Sequence, residues 1–161
     1  MHLATRRSAY ASLLPAEVLA AMSNASLQHW WEQRLSSAPC PHRLLIASSE
    51  AHEREVLGFA HIGPGEDGPG ESELGELYAI HVHPHRQGAG LGAQLLGAAC
   101  KALQADLGYE RARLWVLEDN ENAQGFYRRH GWQLVEELRR TEDIDGVPVA
   151  EVAYERGLGN T

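Results

Sequence analysis

Residues 76–96 read ELYAIHVHPHRQGAGLGAQLL, and this stretch decides the fold. Leu77 to Val82 is apolar and rich in β-formers, which predicts a buried strand that Pro84 ends. Three glycines then alternate with other residues, and the apolar positions beyond them keep helical spacing until Gly108 supplies a C-terminal cap. The order strand, glycine loop, helix exposes backbone N–H groups at the positive end of a helix, which predicts a pyrophosphate site.

The spacing of the glycines separates three kinds of phosphate-binding loop. A P-loop requires Gly-Lys-Ser/Thr, whereas Leu91-Gly92-Ala93 stands here. A dinucleotide fold requires G-x-G-x-x-G, whereas these glycines fall as G-x-G-x-G. The third pattern, Gln/Arg-x-x-Gly-x-Gly/Ala, is met by Gln87, Gly90 and Gly92.

A second block follows in residues 114–132, LWVLEDNENAQGFYRRHGW. Arg113 to Leu117 reads as a strand, and after a polar turn comes a helix that Gly131 ends before a further strand begins at Trp132. One face of this helix carries Ala123, Phe126, Tyr127 and His130.

Together the two blocks resemble the signature motifs of the GNAT superfamily of N-acetyltransferases, in family order and at family spacing. The strong resemblance covers Gly58 to Trp132, with the cofactor motifs in residues 74–132. It implies one α/β (α+β) domain over residues 1–161, with a mixed, mostly antiparallel central sheet flanked by helices. The sheet should be splayed at its central strand to admit acetyl-coenzyme A (acetyl-CoA). The family pattern starts with a strand, but a helical pattern begins here almost at Met1, so we expect the first strand to be missing or shortened.

The resemblance implies transfer of an acetyl group from acetyl-CoA directly to a primary amine of a small molecule or peptide. Backbone groups of Ile80, His81 and Val82 should contact the pantetheine arm, and Asn120 should contact the coenzyme near that arm. Asn120 is also a natural helix cap. The pyrophosphate should be held by Gln87, Gly88, Ala89, Gly90, Leu91, Gly92 and Ala93.

Glu76 is the candidate general base. It lies eleven positions before Gln87, where some members of the superfamily carry a glutamate that acts directly or through water. A carboxylate in a buried strand is unusual unless it is paired or functional. Alternation places Glu76 on one face with Tyr78, Ile80 and Val82 if no bulge intervenes. A solvent-exposed Glu76 is the alternative, with His81 or water as the base.

Tyr127 is the candidate acid. It matches the tyrosine that in this superfamily often approaches the coenzyme A sulfur, although a tyrosine at this position also suits core packing. The run His81-x-His83-x-His85 is compatible with a metal ion. Because no third fixed ligand or nearby cysteine completes a site, no metal is predicted.

Composition limits the class of protein. A chain of 161 residues with 43% hydrophobic residues suits one domain with a real core. The formal net charge of -8 argues against nucleic acid and is compatible with a cationic amine. No run is long enough for a membrane span, no secretion signal opens the chain, and the two cysteines lack metal-ligand spacing. We therefore expect reduced thiols and a cytoplasmic location.

The flanking segments are predicted from periodicity. Helices are expected over residues 2–13, from Pro15 (PAEVLAAM) and after a Ser26 cap (SLQHWWEQRL), where Trp30 and Trp31 either line the acceptor pocket or pack in the core. Two hairpin-like strands are expected over residues 43–48 and 56–62, followed by a mobile loop over 63–73. A second strand pair, 133–141 and 147–154, should turn at Asp145-Gly146, and residues 155–161 should form a frayed tail.

Two questions remain open from the sequence. Without a first strand, residues 43–48 form an apolar sheet edge that the N-terminal segment or a second subunit should cover, so a homodimer is possible. A non-catalytic acyl-coenzyme A sensor of the same fold is the rival function. Thiol release with a panel of amines separates an enzyme from a sensor.

Overall fold

The computed structural model describes residues 7, 10–12, 14–36, 40–49, 55–65, 73–144 and 146–159. These contain a 3-10 turn at Pro84–Arg86 together with the following helices and strands: α1 Ala16–Ala21, α2 Asn24–Leu35, α3 Leu91–Ala105, α4 Glu121–Arg129, β1 Arg43–Ser48, β2 Val56–Pro64, β3 Leu74–Val82, β4 Arg111–Leu117, β5 Gln133–Ile144 and β6 Val147–Gly157.

The six strands form one sheet in the order β1-β2-β3-β4-β6-β5. Among the strand pairs of the described residues, β3–β4 alone is parallel, and α3 makes the crossover between these two strands. The predicted mixed, mostly antiparallel sheet is confirmed.

β3 and β4 separate after a short paired segment. Their register runs from Leu74↔Arg111 to Leu77↔Leu114, and no further pairing joins these two fully described strands. The sheet therefore opens at its centre beyond Leu77 and Leu114, as the predicted splay requires.

The main core lies between α3 and one face of the sheet, with α4 closing one side. Its aliphatic and aromatic members include Ile62, Leu77, Leu96, Leu103, Leu114, Tyr127, Trp132 and Tyr154. A second, smaller cluster joins the N-terminal segment to the sheet through Leu14, Met22, Leu117 and Ile144. Arg7 supports this segment by donating to the carbonyls of Leu19, Ala20 and Met22 at the end of α1.

A β-bulge at Tyr78 changes which side chains of β3 share a face of the sheet. His61 pairs with Ala79 and Ile62 pairs with Leu77, so Tyr78 is the extra residue. Gly63 pairs with Glu76 and shares a face of β2 with His61. Glu76 therefore lies on the face of Ala79 rather than on that of Ile80 and Val82, which corrects the simple alternation. The Tyr78 ring stacks on His61, and its hydroxyl donates to the carbonyl of Pro64.

The helix cap expected at Ser26 is wrong, because α2 begins at Asn24 and includes Ser26. Both residue types favour helix starts, so the local sequence did not distinguish them. Some of the predicted features lie largely or wholly outside the described residues. They are the helix over residues 2–13, the centre of the loop over 63–73, Asp145 and the Trp30 side chain.

The frayed tail expected over residues 155–161 is also wrong for its described part. β6 continues to Gly157, and Leu158 is buried in the main core. The Leu158 N–H also donates to the carbonyl of Glu110 at 2.8 Å. The charged residues of this segment hid its strand character, because their partners are provided by the neighbouring strand.

Within the described residues, no helix combines the length and the apolar character that crossing a membrane would require.

Candidate functional site

The glycine loop before α3 presents bare backbone at the opening of the sheet. Gly88 and Gly90 have φ of 79° and 81°, a conformation that glycine adopts without steric cost. A Cβ built at either position would meet no described atom within 4 Å. The first turn of α3, all of it described, carries no acidic side chain. This loop and helix end therefore fit an anion.

The end of β3 turns polar backbone groups toward the same opening. The His83 N–H donates to the Leu57 carbonyl at 2.8 Å, which places His83 and, by alternation, His81 in the pairs hydrogen-bonded to β2. Ile80 and Val82 then direct their N–H and C=O groups away from β2. The Gln87 Nε2 donates to the Val82 carbonyl at 3.2 Å, consistent with this direction. Among the three predicted pantetheine contacts, Ile80 and Val82 turn their backbone groups toward the opening, with the Val82 carbonyl accepting from Gln87, whereas His81 turns its backbone groups toward β2.

The start of α3 and the middle of α4 meet beside Gly92. A Cβ at Gly92 would lie 3.6 Å from the Phe126 ring and 3.8 Å from Cγ2 of Val82. Asn120 is the N-cap of α4, and its Oδ1 accepts the Ala123 N–H at 3.1 Å. The glycine loop, the end of β3 and α4 thus converge on the gap between β3 and β4.

Tyr127 is buried on α4, and its ring makes edge contacts with those of Phe126 and Trp132. Burial raises the pKa of the Tyr127 hydroxyl well above its ordinary value, and the nearby phenol of Tyr10 adds to the shift. The phenol is therefore protonated at every physiological pH. It can donate a hydrogen bond but ionises with difficulty.

The C-terminal strand fixes the position of α4, which the sequence did not indicate. Arg128 Nη1 donates to the Tyr154 hydroxyl at 3.0 Å, and that hydroxyl donates to Oε1 of Gln124 at 3.2 Å. Arg156 Nη1 donates to the His130 carbonyl, the C-cap of α4, at 2.9 Å. The pair Tyr154 and Arg156, two residues apart in β6, was the available signal, but the partners of both lie in the segment 124–130, more than twenty residues away.

Glu76 is deeply buried, with 2% of its surface exposed. In the β3–β4 register it lies opposite Arg113, and in the β2–β3 register it lies opposite Gly63. The His42 ring covers Gly63, since a Cβ there would lie only 2.5 Å from His42 Nδ1. A solvent-exposed Glu76 is therefore wrong; its strand partners are Arg113 on β4 and Gly63 on β2, which His42 covers.

Aromatic rings and histidines surround Glu76 on this face of the sheet. His61 is completely buried, and its ring lies 4.9 Å from that of Trp31 and 5.1 Å from that of His42. Trp31 also meets Phe59 edge-on, at 5.6 Å. Sequence reasoning missed His42 and His61, because a histidine within a predicted strand pair does not reveal which partners surround it.

The described residues contain no group of three His, Cys, Asp or Glu side chains that could hold a metal ion. His83 and His85 contact each other at the end of β3, where the rings are 5.3 Å apart.

A profile described as Acetyltransferase (GNAT) family matches residues 7–132. The mycothiol acetyltransferase of Kocuria rhizophila is 39% identical over 94 residues, which are 58% of this chain and 30% of that protein. The chain thus spans less than a third of that relative. The uncharacterized N-acetyltransferase YuaI of Bacillus subtilis is 29% identical over 159 residues, 99% of this chain and 83% of YuaI.

The fold is similar to that of the acetyltransferase YncA from Salmonella typhimurium, which was solved with acetyl-CoA. The two share 18% sequence identity and a TM-score of 0.67, over 98% of this chain and 87% of YncA.

Proposed function

This chain belongs to the GNAT acetyltransferase family, and on that premise we propose that it transfers an acetyl group from acetyl-CoA to a primary amine by direct attack. The observation that carries the proposal is the separation of β3 and β4 beside an exposed glycine loop. This opening combines free backbone edges with the positive end of a helix. It suits a ligand that has an extended amide arm and a pyrophosphate.

The residues at the opening fit acetyl-CoA as the co-substrate. Residues 87–93 would hold the pyrophosphate through backbone N–H groups, and the exposed Arg86 adds positive charge beside them. Ile80 and Val82 would pair with the pantetheine amides as a neighbouring strand does, with the Val82 N–H near the thioester carbonyl. Asn120 already caps α4, so its contact with the coenzyme is an additional role. Bound acetyl-CoA supplies the activated thioester.

Glu76 is proposed as the base that receives the proton of the attacking amine. An alkyl ammonium has a pKa of about 10.4 and must lose a proton to attack. Glu76 lies six residues before Val82, about 20 Å along the strand at ~3.3 Å per residue, so a chain of water molecules would carry the proton. The aromatic face around Trp31 and Tyr78 suits an organic cation.

Tyr127 is proposed as the hydrogen-bond donor to the departing sulfur. A thiol has a pKa of about 8.5, below that of the buried phenol, so complete transfer of the phenol proton to the thiolate is unfavourable. Donation of a hydrogen bond during cleavage of the C–S bond does not require that transfer. The C–N bond forms, the C–S bond breaks, and the amine proton leaves toward Glu76.

The first experiment measures thiol release from acetyl-CoA with a panel of diamines, amino acids and peptides. Amine-dependent release supports an enzyme, and cofactor binding without release supports the sensor. Glu76→Gln should lower turnover by roughly 10²–10⁴-fold and remove the acidic limb of the pH–rate profile. Near-normal turnover of that variant would exclude Glu76 as the base.

A second experiment tests whether the chain binds acetyl-CoA, the proposed donor of the acetyl group. Acetyl-CoA at a hundred times its Kd should stabilise the folded chain by about 2.7 kcal/mol, whereas NAD and ATP should not. Binding of either nucleotide in preference to coenzyme A would contradict the proposal.

A further inference from the structure

Arg113 is a second buried charge on the face of Glu76, and the mechanism proposed above gives it no role. Only 5% of its surface is exposed. It stands opposite Glu76 in the register of β3 with β4, and opposite Glu155 in the register of β4 with β6. Arg113 on β4 therefore lies between a carboxylate of β3 and a carboxylate of β6, the two strands on either side of it in the sheet.

The contacts of Arg113 with Glu155 use only part of the guanidinium. Its Nε and Nη2 lie 2.8 and 2.6 Å from the same oxygen, Oε1 of Glu155. The other oxygen, Oε2, lies 3.3 Å from Nη1 of Arg111. A guanidinium has five N–H donors, so Nη1 of Arg113 is not engaged by these two bonds. Adjacent strands are about 4.8 Å apart, which brings Glu76 within reach of that remaining edge.

We propose that Arg113 is a positioning residue that keeps Glu76 ionised and oriented, and that Glu155 moderates this effect by sharing the same guanidinium. The role for catalysis rests on the proposed function of Glu76 as the base. A carboxylate paired too strongly with arginine is a poor proton acceptor, and an unpaired buried carboxylate is protonated at neutral pH. A shared arginine gives Glu76 an intermediate basicity.

Other titratable groups lie on the same face of the sheet as Glu76. They come from the segment before β1, from β2 and from β3, and they are His42, His61, Tyr78 and His81. Imidazoles and phenols change charge with pH, whereas a guanidinium remains protonated throughout the range in which enzymes work. Arg113 is thus the fixed positive charge of this cluster.

The test is the titration of the Glu76 carboxyl carbon by ¹³C NMR on glutamate-labelled protein, with the signal assigned by its loss in Glu76→Gln. Arg113→Met should raise the midpoint by about 1–3 pH units, and Arg113→Lys should restore most of the shift. Glu155→Gln should lower the midpoint, because Arg113 then serves Glu76 alone. The acidic limb of kcat/KM should move with the NMR midpoint in each variant.

An unchanged midpoint in Arg113→Met, or an upward shift in Glu155→Gln, would overturn the inference. Glu155 is partly exposed, so Glu155→Gln provides the decisive shift if Arg113→Met does not fold. An acidic limb that persists in Glu76→Gln would refute the base role alone, and the NMR titration would still decide the influence of Arg113.

Discussion

Tyr127 joins a buried ring to a hydroxyl whose pKa is raised by burial. Tyr127→Phe keeps the ring and removes the hydrogen-bond donor. We expect turnover to fall by about tenfold to a thousandfold, while coenzyme A affinity and Tm are retained. Steady-state kinetics and thermal unfolding on one preparation check this. Unchanged kinetics would exclude a catalytic role, and a large loss of Tm would reveal a structural hydrogen bond instead.

The wild type and Tyr127→Phe should also differ in how their Tm depends on pH. A folded-state pKa above the unfolded value of about 10 means that the contribution of Tyr127 to stability is complete below pH 10 and is lost as the pH rises beyond it. The wild-type Tm should therefore decline more steeply than that of Tyr127→Phe between pH 10 and 11. Burial also raises the pKa values of Tyr109 and Cys100, but both residues are common to the two proteins.

Helix α3 carries two glycines that form a matched test of the anion site. A methyl at Gly92 would make ordinary contacts with Phe126 and Val82, so Gly92→Ala should fold, but its methyl would stand beside the helix N-terminus. We expect coenzyme A affinity to fall by about tenfold, or ~1.4 kcal/mol. Gly90→Val is a poorer test, because φ of 81° strains any β-branched residue. Calorimetric titration supplies the measurement.

The control is Gly97→Ala, whose methyl would meet no described atom within 4 Å. It should leave affinity unchanged and stabilise α3 by up to about 1 kcal/mol. Equal affinities for both variants would argue against phosphate binding at the start of α3.

The C-terminal end of β6 and the residue after it should contribute strongly to the free energy of unfolding. Leu158, just beyond it, is 7% exposed within the main core, so Leu158→Ala should cost about 2–5 kcal/mol. Leu35→Ala makes the same change at a residue that is 38% exposed and should cost less than about 0.5 kcal/mol. Chemical denaturation of both variants measures these costs. Similar midpoints for both would show that Leu158 is not part of the folding core.

At the scale of the whole molecule, β1 ends the strand order, and no described strand pairs with its outer edge. Leu44 and Ile46 are 38% and 56% exposed, on the face of the sheet that carries Phe59 and His61. We expect this apolar edge to associate with a second copy of the chain. Ile46→Lys should weaken the dimer, whereas Gln104→Lys on the exposed face of α3 should not. Sedimentation over a concentration series checks both, and a wild-type monomer throughout would contradict the expectation.

The sequence by itself determined the elements whose conformation is local. Gly88 and Gly90 permit the left-handed backbone of the loop, Asn120 caps the helix that follows it, and Pro84 ends β3, and each of these effects arises within a few residues of the chain. The same local rules predicted the six strands, whereas the family was inferred from the resemblance of the two motifs in residues 76–96 and 114–132 to those of the GNAT superfamily. The ends of some elements, such as the start of α2, shifted by a few residues, and the bulge at Tyr78 lies within β3.

The tertiary structure alone decided the surroundings of Glu76. The bulge at Tyr78 depends on the register with β2, and it reverses the face on which Glu76 lies relative to Ile80. Arg113 becomes its neighbour only because β3 and β4 pair in parallel, and Glu155 joins them because β6 continues into the segment that was predicted to be a frayed tail. These two pairings join residues 37 and 42 positions apart in the numbering, and burial and charge pairing at such separations depend on strand order, which no local pattern encodes.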